Sequence, residues 1–255
     1  MNNELKLQRY IKKTINSCKN CKSNGSPSQI DCQNNCWEKS RKAIKFINAN
    51  IPVDYFDLGI ESYSNANIEN LEDIEVREKT LKKINIYCKR IDEMIDKGWG
   101  VVLMGPYGTG KSLLANHILK TALEKEYSAY SREFSEMINM SITGKDYAGI
   151  EKPIYEELSK IDFYCIENVG WEYSKEQSTY VPLKLDSFIT LRHQHGLPTI
   201  ITMNMTASDL KKDYGDHIYS VLKGHCLFLH VPGVDNRNSI NKYIRKALEK
   251  DEEIF

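Results

Sequence analysis

No stretch of this 255-residue chain is long and apolar enough to cross a bilayer, and the opening MNNELKLQRYIKK lacks the continuous apolar segment of a secretory signal. The expectation is a cytoplasmic protein with no membrane partner. Internal repeats and extended low-complexity tracts are missing too, which argues against solenoids and disordered chains. No nucleophile, base and orienting group fall into a defensible catalytic pattern, so covalent hydrolase chemistry has no support. Net charge is also absent, with 35 Lys and Arg against 35 Asp and Glu. The balance is nevertheless uneven along the chain: residues 1–46 hold ten basic and three acidic residues, a local +7, leaving −7 for the remainder. Such a basic extension suits nucleic acid or an acidic protein surface, while a solvated lysine-rich face is the plainer alternative. At 41% hydrophobic, a chain of this length can bury one substantial core and carry a small appendage.

Four of the seven cysteines lie close together at Cys18, Cys21, Cys32 and Cys36, spaced C-x2-C, ten residues, then C-x3-C. Two close thiolate pairs can converge on a tetrahedral zinc ion. The intervening KSNGSPSQID is too polar and turn-rich to fold around a core of its own, so a module here would depend on the metal. A disulfide framework is the rival, out of place in a cytosolic protein, and free thiols are the remaining alternative. Cys88, Cys165 and Cys226 sit among apolar neighbours and read as small core residues.

The segment GPYGTGKS, Gly105 to Ser112, follows the apolar run Val101–Met104 and opens onto a helix-patterned stretch from Leu113 to Glu126. Strand, glycine-rich turn and helix form the setting of a phosphate-binding loop. Backbone N–H groups converge best on a polyphosphate where Gly105, Gly108 and Gly110 allow close approach, and a helix N-terminus adds partial positive charge. Pro106, Tyr107, Thr109 and Leu113 complete the candidate cradle, Lys111 would neutralise the β- and γ-phosphates, and the Ser112 hydroxyl would serve a magnesium ion.

Elsewhere, helical periodicity covers residues 37–48 and runs from Val76 to Lys97, stopped by Gly98 and Gly100. Short apolar runs at Tyr127–Tyr130, Phe163–Ile166, Thr199–Met203 and Leu227–Val231 alternate with helix-like segments. This predicts an α/β domain with a mostly parallel sheet between helices. The expected division is a zinc-binding adaptor at 1–48, a linker at 49–75 and a nucleotide-binding domain at 76–255. IDFYCIENVG, Ile161 to Gly170, has the form of a second nucleotide-binding strand, whose apolar run delivers Glu167 beside the magnesium ion. The next residue is Asn168, where a proton-accepting carboxylate is usual. An amide accepts no proton, and loss of a general base typically costs on the order of 10² to 10⁴ in rate.

The segments IPVDYFDL, GPYGTGKS, IENVG and LPTIITMN together resemble the AAA+ ATPases of the DnaC, DnaI and IstB group, over about residues 50–245. The resemblance implies an AAA+ P-loop fold, ATP with Mg2+, and a sensor role toward the γ-phosphate for Asn204. A nucleotide-sensing arginine at Arg237 is implied by the lid-like stretch Asp213–Arg237, and an N-terminal zinc module is similar to that of the DnaI type of loader. By the same resemblance the partners are a replicative DnaB-type helicase, single-stranded DNA and further copies of the chain, assembling on ATP binding. An IstB-like transposition ATPase and a non-hydrolysing scaffold or inhibitor are the alternatives. The family's R-x-x-S-R-L pattern is replaced by His217-Ile218-Tyr219-Ser220-Val221-Leu222, so the two arginines that would reach a neighbour's nucleotide are missing. Slow hydrolysis is the expectation, because a trans-acting arginine contributes about 10³ to 10⁵ in related phosphoryl transfer. Lys211, Lys212 and Arg192 are the possible substitutes.

Two further groups have a plain and a functional reading. His193 and His195 read as a solvated helix end or as metal ligands, and no carboxylate or cysteine lies beside them in sequence. Tyr127, Tyr130 and Phe134 could stack on bases, although packing around the second strand is the simpler role for the two tyrosines.

Overall fold

A computed structural model of the chain describes residues 8–10, 12, 36–64, 71–146, 149, 151, 153–170 and 180–235. Cys18, Cys21, Cys32 and Arg237 lie outside these residues, and Cys36 is described only as the first residue of a helix. Among the described residues no group of three or more His, Cys, Asp or Glu could hold a metal ion, and no helix is long and apolar enough to cross a membrane.

Five strands, β1 (Gly100–Met104), β2 (Ala129–Glu133), β3 (Phe163–Val169), β4 (Thr199–Met203) and β5 (Cys226–His230), form one sheet in the order β2-β3-β4-β1-β5. Every neighbouring pair is parallel. Parallel strands buried on both faces need continuous apolar sequence, as in GVVLM of β1 and TIITM of β4. Alternation along β1 sends Val101 and Leu103 to one face of the sheet and Val102 to the other. On the first face they meet α1 (Cys36–Asn48), α3 (Leu71–Lys89) and α5 (Lys111–Glu124), through residues such as Phe46, Ile84 and Ile118. On the second, Val102 joins Ile166 and Ile201 beneath α6 (Phe134–Thr143), α7 (Ile154–Lys160), α8 (Tyr180–Gln194), α9 (Ala207–Tyr214) and α10 (Asp216–His225).

The helical stretch expected over 76–97 is two helices. α3 begins at Leu71 and ends at Lys89, and α4 spans Ile91–Asp96 after a break at Arg90, whose φ and ψ are −108° and 27°. Residues 51–63 join the body of the domain: Ile51, Phe56 and Tyr63 are buried, and α2 (Glu61–Ser64) follows a 3-10 turn at Val53–Tyr55. The Lys120 ammonium on α5 gathers this segment by donating to the carbonyls of Tyr55, Phe56 and Leu58 at 3.0, 3.3 and 2.6 Å. α1 is held as firmly, with Ala43, Phe46 and Ala49 in the same apolar cluster as Leu114 and Ile118. Just beyond α1 the chain docks on the outer side of β2, where Ser131 N donates to Ala49 O at 3.0 Å and Asn50 Nδ2 donates to Ser131 O at 2.7 Å.

Arg192 on α8 is fully buried and has no ionic partner at hydrogen-bond range among the described residues. Its guanidinium instead donates to the carbonyls of Leu158, Ile161, Asp162 and Pro198 and to Thr199 Oγ1, between 2.5 and 3.0 Å. One planar fork thereby satisfies the turns entering β3 and β4 together.

Candidate phosphate-binding site

The loop lies at the C-terminal end of β1, where an open parallel sheet leaves a crevice. Gly105 has a φ of 155°, and a Cβ there would strike the carbonyl of Val231. Gly110 is left-handed at φ 98°, and its Cβ would stand 2.9 Å from Cδ2 of Tyr63. Both glycines are thus required by the fold as well as by phosphate approach. Thr109 Oγ1 donates to Pro106 O at 2.9 Å and steadies the loop, while Tyr107 stands exposed at its tip. Lys111 begins α5, and its buried ammonium donates to Gly105 O and Pro106 O at 2.9 and 2.5 Å. The cation is therefore held within the loop it would serve, beside the positive end of a fourteen-residue helix.

β4 lies between β1 and β3, and Gly105 N donates to Met203 O at 3.3 Å. The next residue, Asn204, has a buried amide whose oxygen and nitrogen both lack a partner among the described residues. A polar group left so costs about 1 to 3 kcal/mol, which a ligand oxygen or water would relieve. From β3, Glu167 accepts a hydrogen bond from Ser131, and the Ser112 hydroxyl lies near enough to favour its charged form. Burial pushes its carboxyl above the ordinary range and the neighbouring Glu133 adds to this, whereas the two hydroxyls oppose it. A divalent cation suits this arrangement, since it would take Ser112 and Glu167 as oxygen ligands and relieve the crowded negative charge. When bound it would screen the phosphate oxygens as a Lewis acid.

Asn168 occupies an irregularity: the β3–β4 register shifts between Ile166 and Val169, and Asn168 is left-handed at φ 58°. Its N–H donates to Thr202 Oγ1 at 3.0 Å, and its Nδ2 donates to both Glu133 oxygens at 2.9 Å. Sequence reasoning missed Glu133 and Ser131 because it ended the second strand at Tyr130. The residues that continue it, Ser131-Arg132-Glu133, are all polar and gave no apolar strand signal.

The remaining candidates separate clearly. His217 lies exposed on α10 with Nδ1 2.8 Å from Asp186 Oδ1, and Val221 is partly buried against the second apolar cluster. Arg192 cannot serve a neighbouring subunit, because its guanidinium is fully buried and bonded to backbone. Lys211 pairs with Asp216 at 3.0 Å. Tyr127 packs edge-on against Phe163 and Tyr130 stacks on Tyr164, while Phe134 is fully buried. The base-stacking reading of these three thus has no exposed ring face behind it at Phe134, and packing partners account for the tyrosines. His193 and His195 are exposed at the end of α8, as a solvated helix end requires, with the His193 ring 3.8 Å from that of His225.

No protein-family profile and no curated sequence matches the chain. Among solved structures it is similar to the DnaC helicase loader, with 19% identity over 71% of this chain and 99% of the other, at a TM-score of 0.57. A DNA replication initiation factor aligns at 13% identity over 76% of this chain and 56% of its own, TM-score 0.51. DnaI aligns at 16% identity over 68% and 94%, TM-score 0.50. At such identities the likeness establishes the fold alone, an α/β arrangement with a parallel sheet.

Proposed function

We propose that this chain is an ATP-binding helicase loader that places a replicative DnaB-type helicase on single-stranded DNA. The observation that carries this is one constellation on that fold: the loop Gly105–Ser112, with Ser112 close to Glu167, and beyond β4 the buried Asn204 amide, which has no partner among the described residues. ATP with Mg2+ would sit there, and its binding would drive assembly with further copies of the chain. Residues 1–48 supply the adaptor, in which Cys18, Cys21, Cys32 and Cys36 hold one zinc ion and whose last helix packs on the nucleotide-binding domain; 49–75 form the connection, with 51–63 docked on that domain, and 76–255 the nucleotide-binding domain itself. Arg237 would sense nucleotide from the lid. Cytoplasmic location follows from this role.

Hydrolysis is slow in this reading, because His217 and Val221 offer no guanidinium to a neighbour's nucleotide. The same two residues support a second reading, a nucleotide-dependent scaffold or inhibitor with no turnover. The deciding experiment is co-purification with mass spectrometry of bound protein, with and without ATP, in wild type and Lys111→Ala. An ATP-dependent hexameric helicase lost in the variant supports loading, whereas a transposase would select the IstB-like alternative. Metal analysis after reducing, chelator-free purification should find about one zinc per chain, and none with reactive thiols at Cys18 and Cys21 would remove the zinc module.

A further inference from the structure

We propose that Glu133, at the end of β2, is the carboxylate that activates the attacking water, in place of the acidic side chain missing at Asn168. This rests on the ATP-binding reading above. Four observations converge on Glu133. In the β2–β3 register it stands directly opposite Glu167, the carboxylate close to Ser112, so it lies one strand spacing from that cation ligand. Asn168 donates its amide to both Glu133 oxygens at 2.9 Å, which fixes the plane of the carboxylate. Asn168 reaches it only because the left-handed turn at φ 58° breaks the β3–β4 register. A strained position of this kind, held here by the Thr202 bond, is characteristic of working sites.

The fourth observation is what Glu133 leaves undone. It is the N-cap residue of α6, yet its side chain makes no capping bond. Its backbone is meanwhile locked by the preceding residue, since Arg132 is buried and paired with Glu136 at 2.8 Å and Glu157 at 3.0 Å. The result is a partly solvated carboxylate on a rigid elbow, oriented by a neutral amide. Acid and amide have changed places: the proton acceptor is on β2, and its orienting group is on β3.

In the step that follows, a water oxygen bonds to the γ-phosphorus while the bond from that phosphorus to the β–γ bridging oxygen breaks, its electron pair leaving on ADP. The water proton passes to Glu133 and then to solvent, so ATP and water yield ADP, inorganic phosphate and one proton. Glu133 accounts for the residual turnover of a protein that lacks the arginines for fast turnover.

The test is single-turnover phosphate release from Mg-ATP by the full chain, alongside equilibrium nucleotide binding. Glu133→Gln should bind within a few-fold of wild type and release phosphate roughly 10² to 10⁴ more slowly. Asn168→Asp should also slow release, since it sets an acceptor against an acceptor. The exchange Glu133→Asn with Asn168→Glu, which rebuilds the pair in the opposite sense, should recover part of the rate. Phosphate release indifferent to Glu133→Gln, release accelerated by Asn168→Asp, or a wild type that binds ATP without Lys111-dependent release would each overturn the assignment while leaving ATP binding intact. A wild type that binds no nucleotide would overturn the ATP reading and this assignment with it.

Discussion

The ring of Tyr63 lies against Gly110, so close that a β-carbon on the glycine would stand 2.9 Å from Cδ2. The last glycine of the phosphate loop is thereby fixed from outside the loop, by a residue of the segment that precedes α3. Tyr63 is itself held beneath the Arg77 guanidinium, 4.5 Å from the ring centroid.

Gly110→Ala should therefore fail twice, through left-handed strain of about 1 to 3 kcal/mol and through the clash with Tyr63. Adding Tyr63→Ala removes the clash and leaves the strain. The double variant should then lose less than the two single losses combined, as read from urea midpoints.

Nucleotide should stabilise the fold through Lys111. At a hundredfold excess over Kd, Mg-ATP adds about 2.7 kcal/mol, or roughly 5 to 10 °C in Tm for a chain of this size. Thermal unfolding of Lys111→Ala should show almost none of that rise.

Arg192→Ala would leave the carbonyls of Leu158, Ile161, Asp162 and Pro198 without their donor. At about 1 to 3 kcal/mol each, the loss rivals the whole stability of a typical domain, and the variant should accumulate only as insoluble protein. Arg192→Lys, with three donors and no plane, should recover little of the soluble yield.

Alkaline conditions should weaken the fold before they alter the site. Burial pushes the thiols of Cys88 and Cys226 up to about 11 and about 12, against an ordinary 9.0, and raises Cys165 as well. The unfolded chain thus releases these protons first, so it binds fewer than the native state and stability falls as pH rises from 9 toward 11. Each thiol adds a slope of about 1.4 kcal/mol per pH unit. Chemical denaturation at pH 8 and pH 10 measures it, and Cys226→Ala should make the dependence shallower.

Of the two missing arginines, only one position can take a guanidinium cheaply. His217→Arg lies on the surface and should leave Tm within about a degree, whereas Val221→Arg forces charge against the second apolar cluster and should lower it. Assembled protein carrying His217→Arg should release phosphate faster than wild type in the same single-turnover assay.

The strand Thr199–Met203 and the helix after the phosphate loop could be read from sequence because apolar continuity and glycine spacing are local properties. The break at Arg90 could not, since Ile84, Tyr87, Cys88 and Ile91 continue a single helical stripe across it. Glu167 stands out by its position after an apolar run, whereas Asn204 is a candidate only through the resemblance carried by LPTIITMN. Glu133 and Ser131 do not stand out, because their importance comes from lateral pairing between strands distant in the chain, which no window of residues contains. The amide at 168 is plain in the sequence, but its neighbour across the sheet has no signature of its own.

The docking of Ala49 and Asn50 on Ser131 matters for any attempt to isolate the nucleotide-binding domain. β2 is one of the two edge strands of the sheet, and those two residues cover part of its open side. A fragment cut at residue 51 or later would bare that backbone and the apolar surface left by Phe46, producing a template for strand addition by other chains. Stable fragments should therefore begin ahead of Cys36, so that the helix Cys36–Asn48 travels with the sheet it shields.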